Sequence, residues 1–65
     1  MEIRVWEART QKGYTLIQLE EVTGISKSTL NNVENGKTSP TLSQLESIAS
    51  ALGVRITDLF DSDLK

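Results

Sequence analysis

The hydrophobic and polar positions of residues 16–35 predict two short amphipathic helices joined by a sharp turn. Gly24 separates the two segments and tolerates the backbone conformation that such a turn needs. On each side of it, apolar residues recur at helical spacing and would meet across the turn. They are Leu19 and Val22 before the turn, and Leu30 and Val33 after it. This arrangement is typical of a helix-turn-helix.

The opposite face of the second predicted helix is polar. It carries Lys27, Ser28, Thr29, Asn31 and Asn32. Side chains of these kinds reach base edges and phosphates when a helix lies in the major groove of DNA. The alternative is an ordinary solvent-exposed helix face. Because the polar face belongs to a helix-turn-helix pattern, we favour DNA recognition.

Three further helices are predicted around this pair, which makes five helices in an all-α domain. The first covers about residues 4–12, buries Val5 and Ala8, and ends at Gly13. The fourth has the clearest helical spacing in the chain and ends at Gly53. Its apolar positions are Leu42, Leu45, Ile48, Ala49 and Leu52.

The fifth predicted helix is short. We expect it to start after a capping residue, Thr57, and to place Leu59 and Phe60 against the core. Residues 61–65 then form an acidic tail that we expect to fray. Over the whole chain, the only extended segment that the sequence predicts is a short one at residues 1–3.

Helices 2, 3 and 4 each follow a side chain that can cap a helix N-terminus. Thr15 precedes Gln18 by three residues, and Thr41 precedes Gln44 in the same way, which is the spacing of a capping box. Ser26 is placed to cap helix 3. These residues predict where each helix begins.

Composition narrows the possible functions. The 65 residues suffice for one domain, with a core of about residues 3–60. The chain has no cysteine and no histidine, so it lacks disulfides, the usual zinc ligands and most catalytic side chains. We therefore expect no enzyme activity, no cofactor, no metal and no small-molecule ligand. Without a long apolar run or a signal-peptide pattern, we expect a soluble cytoplasmic protein and no membrane contact.

The charge of the chain is unusual for a DNA-binding domain, because seven Lys and Arg residues face nine Asp and Glu residues. Residues 1–38 hold five bases and five acids, so the half with the predicted interface is neutral. We expect modest phosphate neutralisation and a large share of hydrogen bonds from neutral groups. The negative net charge leaves a second interpretation open, a protein-interaction module or antitoxin component with weak or lost DNA binding.

Three features of the chain are typical of one family. They are the spacing of Leu19, Gly24, Ile25, Leu30 and Val33, the segment Glu34-Asn35-Gly36-Lys37, and Pro40 before a leucine-rich helix that ends in Ala51-Leu52-Gly53. With these features, residues 3–60 resemble the domain shared by phage repressors, Cro proteins and their bacterial relatives. The resemblance implies five packed helices, with helix 3 in the major groove and the following loop on the phosphate backbone.

The resemblance also implies which residues contact DNA. The base-contacting positions are Lys27, Ser28 and Asn32, and the backbone-contacting positions are Thr29, Asn35, Lys37 and Thr38. Chemistry supports this, because asparagine pairs with adenine through two hydrogen bonds and lysine reaches guanine O6 and N7. We add Asn31 to the base-contacting group, although it lies about 100° around the helix from its neighbour and faces a different base, a phosphate or water.

The same resemblance implies a structural ion pair between Arg9 of helix 1 and Glu34 at the end of helix 3. Two residues depart from the family pattern. Glu20 replaces an alanine favoured in the middle of helix 2, where helix 3 crosses closely, so we expect Glu20→Ala to raise thermal stability. Leu16 replaces a glutamine that relatives often use to bond a phosphate and a base-reading side chain.

Together these observations predict a sequence-specific binder of double-stranded DNA. We expect a transcriptional repressor that acts as a homodimer on a palindromic operator, because one such domain reads only a few base pairs. We expect the dimer contacts to come from helix 5, with Leu59 and Phe60, or from the chain ends.

Overall fold

The computed structural model describes residues 1–62 of the chain. These residues form four α-helices, one 3₁₀ helix and two paired strands, joined by short loops. In chain order the elements are β1 (Glu2–Ile3), α1 (Val5–Gln11), α2 (Leu16–Thr23), α3 (Lys27–Glu34), α4 (Leu42–Leu52), the 3₁₀ helix (Ile56–Leu59) and β2 (Phe60–Asp61). Helix α2 packs against α3 and α4, and α1 contacts α3, α4 and the 3₁₀ helix. The predicted helix-turn-helix is therefore α2 and α3.

One hydrophobic core lies between these helices. Its buried side chains are Val5, Leu19, Leu30, Val33, Leu45, Ile48, Ala49, Leu52 and Leu59. Two residues assigned to apolar stripes lie outside it, because Val22 is 56% exposed and Leu42 is 74% exposed. The buried side of α2 follows Leu16, Leu19 and Thr23, which at about 100° per residue leaves Val22 on the solvent side. Leu42 is the first residue of α4 and precedes the part that packs.

The capping residues begin the helices where the sequence predicted. Both capping boxes form, with Thr15 and Gln18 at α2 and with Thr41 and Gln44 at α4, each with two reciprocal hydrogen bonds. At α3, the Ser26 hydroxyl accepts a hydrogen bond from the third residue of the helix. These helix starts were predictable because a capping bond joins residues only three positions apart.

The predicted fifth α-helix is wrong. The structure has instead a four-residue 3₁₀ helix that follows Arg55 and contains Thr57. The next residue, Phe60, is extended (φ −154°, ψ 155°) and pairs with Ile3 in an antiparallel two-stranded sheet. Because this pairing takes the backbone out of helical geometry, the helix cannot continue. The fold is four α-helices with a small sheet joining the two ends of the described chain.

Arg4 ties this sheet to α1. Its backbone N–H donates to the Leu59 carbonyl, and its guanidinium contacts the carboxylates of Glu2, Glu7 and Asp61. The hydrogen bond to Asp61 raises the pKa of Arg4. Asp61 is thus part of an ordered strand, which corrects the expected fraying at this position, whereas residues 63–65 of the predicted tail lie outside the described residues.

No helix within residues 1–62 is both long and apolar enough to cross a membrane. Across the same residues, no group of acidic side chains is placed to hold a metal ion.

Candidate nucleic-acid interface

Helix α3 turns one polar face away from the core. Leu30 and Val33 are buried, so the direction opposite them, at about 100° per residue, passes between Asn31 and Asn32 and through Ser28. Asn31 and Ser28 are exposed, and Asn32 is half-buried. The predicted base-contacting residues therefore share one face, with exposed Lys27 at its N-terminal margin.

The turn before α3 is held by short-range hydrogen bonds. Gly24 takes a left-handed conformation, with φ 76°, which closes α2. The Thr23 hydroxyl donates to the Leu19 carbonyl (2.7 Å) and accepts from the backbone N–H of Ile25 (3.1 Å). These bonds connect the end of α2 to the turn, so the polar face of α3 has a defined direction.

Thr29, a predicted backbone contact, takes part in the cap of α3. Its backbone N–H donates to the Ser26 hydroxyl (3.2 Å), which in turn donates to the Thr29 hydroxyl (2.9 Å). The Thr29 hydroxyl accepts this second bond and keeps its own hydrogen for another acceptor. Its position at the first turn of α3 is compatible with a phosphate contact.

The loop after α3 folds back onto the end of the helix. The Asn32 carbonyl accepts hydrogen bonds from the backbone N–H groups of Lys37 (2.9 Å) and Thr38 (3.4 Å). Asn35, Lys37 and Thr38 are exposed. The structure therefore brings the predicted backbone-contacting residues of the loop next to the face that carries the predicted base-contacting residues.

Asn31 and Asn35 form a side-chain pair that the sequence analysis missed. The Asn35 Nδ2 donates to the Asn31 Oδ1 at 3.3 Å, across one turn of α3. Spacing of four residues on a helix was the available signal, since such positions are neighbours on the helix surface. The bond leaves the Asn31 amide N–H groups free to donate, so Asn31 can face guanine, thymine or phosphate acceptors.

Arg9 and Glu34 make a two-pronged ion pair between α1 and the end of α3. Arg9 Nε lies 2.7 Å from Glu34 Oε2, and Arg9 Nη2 lies 3.0 Å from Glu34 Oε1. A third donor, Arg9 Nη1, bonds the Tyr14 carbonyl at 2.9 Å. The side chains are only 12% and 4% exposed, respectively. This part-buried pair fixes the C-terminal end of α3 to the body of the domain.

Few cations of the described chain remain for phosphate binding. Arg4 and Arg9 are engaged by carboxylates. On the polar surface of α3 and its loop, Lys27 and Lys37 are exposed and form no ion pair within residues 1–62. Two lysines therefore supply the positive charge of this surface.

Glu20 makes a hydrogen bond that the sequence did not predict. Its Oε2 accepts a hydrogen bond of 2.9 Å from the backbone N–H of Lys27, the first residue of α3. A carboxylate at a helix N-terminus accepts a hydrogen bond from an otherwise unpaired N–H, and its negative charge interacts favourably with the positive end of the helix dipole. Leu16, the other departure from the family pattern, packs against the hydrophobic core.

This contact reverses the expected sign of the Glu20→Ala effect. We expect Glu20→Ala to lower the free energy of unfolding by about 1 kcal/mol, the usual loss for a removed helix cap. Urea denaturation followed by circular dichroism measures it. Glu21→Ala, the same change at an exposed neighbour without a hydrogen bond in the described chain, is the control. A Glu20→Ala variant as stable as that control would contradict the capping role.

Comparison with known proteins agrees with this geometry. A family model described as helix-turn-helix matches residues 7–59. The chain belongs to the helix-turn-helix family. It is 37% identical over 59 residues to the HTH-type transcriptional regulator SinR of Bacillus subtilis, covering 89% of this chain and 53% of SinR. It is 35% identical over 54 residues to the immunity repressor protein of Bacillus phage phi105, covering 83% of this chain and 38% of that protein.

A solved structure extends the comparison to three dimensions. The structure described as the N-terminal DNA binding domain of SinR from Bacillus subtilis superposes with a TM-score of 0.80 at 31% identity, covering 94% of this chain and 90% of that one. These matches confirm the resemblance to phage repressors and their bacterial relatives. This helix-turn-helix chain spans about half of SinR and less of the phage repressor.

Proposed function

We propose that the chain binds double-stranded DNA sequence-specifically and acts as a transcriptional regulator, with α3 in the major groove. The observation that carries the proposal is the exposed polar face of α3. The helix that presents this face is capped at its N-terminus by Ser26, and its C-terminal end is followed by an exposed polar loop that bonds back to the helix. The similarity to a SinR domain described as DNA-binding supports it. The names of the relatives, a regulator and an immunity repressor, support the role in transcription.

Within this interface we assign base contacts to Lys27, Ser28, Asn31 and Asn32. We assign phosphate contacts to Thr29, Asn35, Lys37 and Thr38. The first group lies along the outer face of α3, where a helix in the major groove reaches base edges. The second group lies at the first turn of α3 and in the loop beside its last turn, where a helix in the groove meets the flanking backbones.

A selection of bound sites from a random duplex library tests this function. We expect enrichment of one short motif, and we expect the purified protein to be retained on heparin at low salt. A protein-interaction module, the alternative favoured by the net charge of −2, would enrich no motif and pass through heparin. That result would overturn the proposed function.

We further propose that the regulator is a repressor that binds as a homodimer to a palindromic operator. Two copies would place their α3 helices about one helical turn of DNA apart, roughly 34–36 Å. Leu59 is fully buried within the monomer, so of the residues expected to make the dimer contact we keep half-buried Phe60 and the chain ends. Exposed apolar side chains, including Trp6, remain for that role. A selected motif without two-fold symmetry, together with a monomeric complex in sedimentation, would contradict the dimer.

Removing the Lys37 charge should weaken binding to every DNA sequence alike. We expect Lys37→Ala to lower affinity for the operator and for a scrambled duplex by a similar factor. The slope of log affinity against log salt should fall by about one unit, because one phosphate neutralisation is lost. Titrations at several salt concentrations measure both. Lys12→Ala, at the end of α1 and outside the proposed contacts, is the control, and an equal change of slope in that variant would argue against a contact specific to Lys37.

A further inference from the structure

Glu20 belongs to α2, but its side chain acts on α3. It is half-buried, and its Oε2 holds the backbone N–H of Lys27 at 2.9 Å. Ser26, the N-cap, bonds the N–H of Thr29. The remaining N–H of the first turn, that of Ser28, has no acceptor within residues 1–62. Two of the three N–H groups are thus satisfied from within the chain, and Ser28 keeps the free one.

The bond from Glu20 crosses the turn of the helix-turn-helix. Glu20 and Lys27 are seven residues apart, on either side of the left-handed Gly24. A link at this place restrains rotation of the first turn of α3 against α2. That turn carries Lys27 and Ser28, and a base contact requires placement to within about 0.5 Å. The Glu20 hydrogen bond therefore acts on the geometry of the proposed base readers.

The charge of Glu20 has a separate effect. No cation lies within ion-pair distance of its carboxylate in the described part of the chain. A helix N-terminus attracts anions such as DNA phosphates, and here a carboxylate of the protein already occupies part of that position. The carboxylate also repels phosphates from the end of α3 that is proposed to enter the groove.

We propose that Glu20 is a positioning residue of the DNA interface. Its hydrogen bond to the Lys27 N–H increases discrimination between operator and other DNA, whereas its charge lowers affinity for both. The proposal rests on the proposed function. Its two effects are separable, because repulsion by the charge acts on every duplex and cancels in the ratio of operator to scrambled affinity. Misplacement of Lys27 and Ser28 weakens only the operator complex, since base contacts exist only there.

Four variants separate these effects: Glu20→Gln, Glu20→Ala, Glu21→Gln and Glu21→Ala. Glutamine keeps an acceptor oxygen for Lys27 and removes the charge, whereas alanine removes both. Glu21 is exposed, next to Glu20 in sequence, and makes no hydrogen bond or ion pair among residues 1–62, so its variants repeat the same chemical changes without the contact. Affinities for the selected operator and for a scrambled duplex of equal length are measured at several salt concentrations.

We expect Glu20→Gln to tighten binding to both duplexes, to steepen the salt slope by up to about one unit, and to keep the parent ratio. Glu20→Ala should tighten the scrambled complex equally and lower the ratio about tenfold, comparable to the loss of one base contact. Both Glu21 variants should keep the parent ratio. In the amide NMR spectrum, the Lys27 resonance should move in Glu20→Ala and stay in place in the Glu21 variants.

A Glu20→Ala variant with the parent ratio would overturn the positioning role. Lost stability does not imitate the expected result, because a smaller folded fraction lowers both affinities by the same factor and leaves the ratio unchanged. Equal ratios in Glu20→Gln and Glu20→Ala, both below that of the parent, would also overturn it, since the charge and not the hydrogen bond would then determine discrimination. A parent that already binds both duplexes equally would refute the proposed function itself, and the positioning role with it.

Discussion

Arg9→Ala should lower the free energy of unfolding by about 3–5 kcal/mol, because it strands the buried carboxylate of Glu34. The Glu34 side chain is only 4% exposed and takes two hydrogen bonds from the guanidinium. The bond from Arg9 to the Tyr14 carbonyl is lost as well. Since small domains have total stabilities of about 5–15 kcal/mol, this change should leave the variant close to unfolding. Urea denaturation measures the effect.

Arg4→Ala is the matched control for this result. Arg4 also contacts carboxylates at the start of α1, but its side chain is 42% exposed and water solvates the partners that it leaves behind. We expect a far smaller loss. A double variant, Arg9→Leu with Glu34→Leu, removes both charges and should be more stable than Arg9→Ala, because no buried charge remains alone. A midpoint for Arg9→Ala within the range of Arg4→Ala would show that the Arg9 pair is effectively solvated.

Asn32→Ala should weaken operator binding about 10- to 100-fold and leave binding to scrambled DNA nearly unchanged, because a hydrogen-bonded base contact exists only at the right sequence. The backbone carbonyl of Asn32, which accepts from Lys37 and Thr38, is unaffected by this change. The loop therefore keeps its bonds, and the loss reports the side chain. Titration of both duplexes at one salt concentration measures it.

Ser50→Ala is the control for Asn32→Ala, because Ser50 is an exposed polar residue of α4, outside the proposed interface. It should leave both affinities unchanged. Equal losses on operator and scrambled DNA for Asn32→Ala would reject Asn32 as a base reader and place its side chain among the groups that only contribute to general affinity.

The sequence by itself determined the features that depend on neighbours in the chain. Thr15, Ser26 and Thr41 begin α2, α3 and α4, since a capping bond joins residues three apart. Gly24 can take the left-handed conformation that ends α2 because it has no Cβ, whatever its neighbours in space. The polar face of α3 follows from its helical period once Leu30 and Val33 are placed in the core. These local rules sufficed for the helix-turn-helix and for the surface that we propose binds DNA.

The tertiary structure alone decided the features that depend on distant partners. Phe60 became a strand residue because Ile3 pairs with it, although the local pattern predicted a helix. Val22 is exposed because α3 and α4 pack against another side of α2 and leave this apolar side chain in solvent. Glu20 accepts a hydrogen bond from α3 because the turn brings its carboxylate to the Lys27 N–H. In each case the contact is made with a residue across a turn or elsewhere in the fold. Hydrophobic periodicity and helix or strand propensity describe only residues near one another in sequence, so they do not predict such contacts.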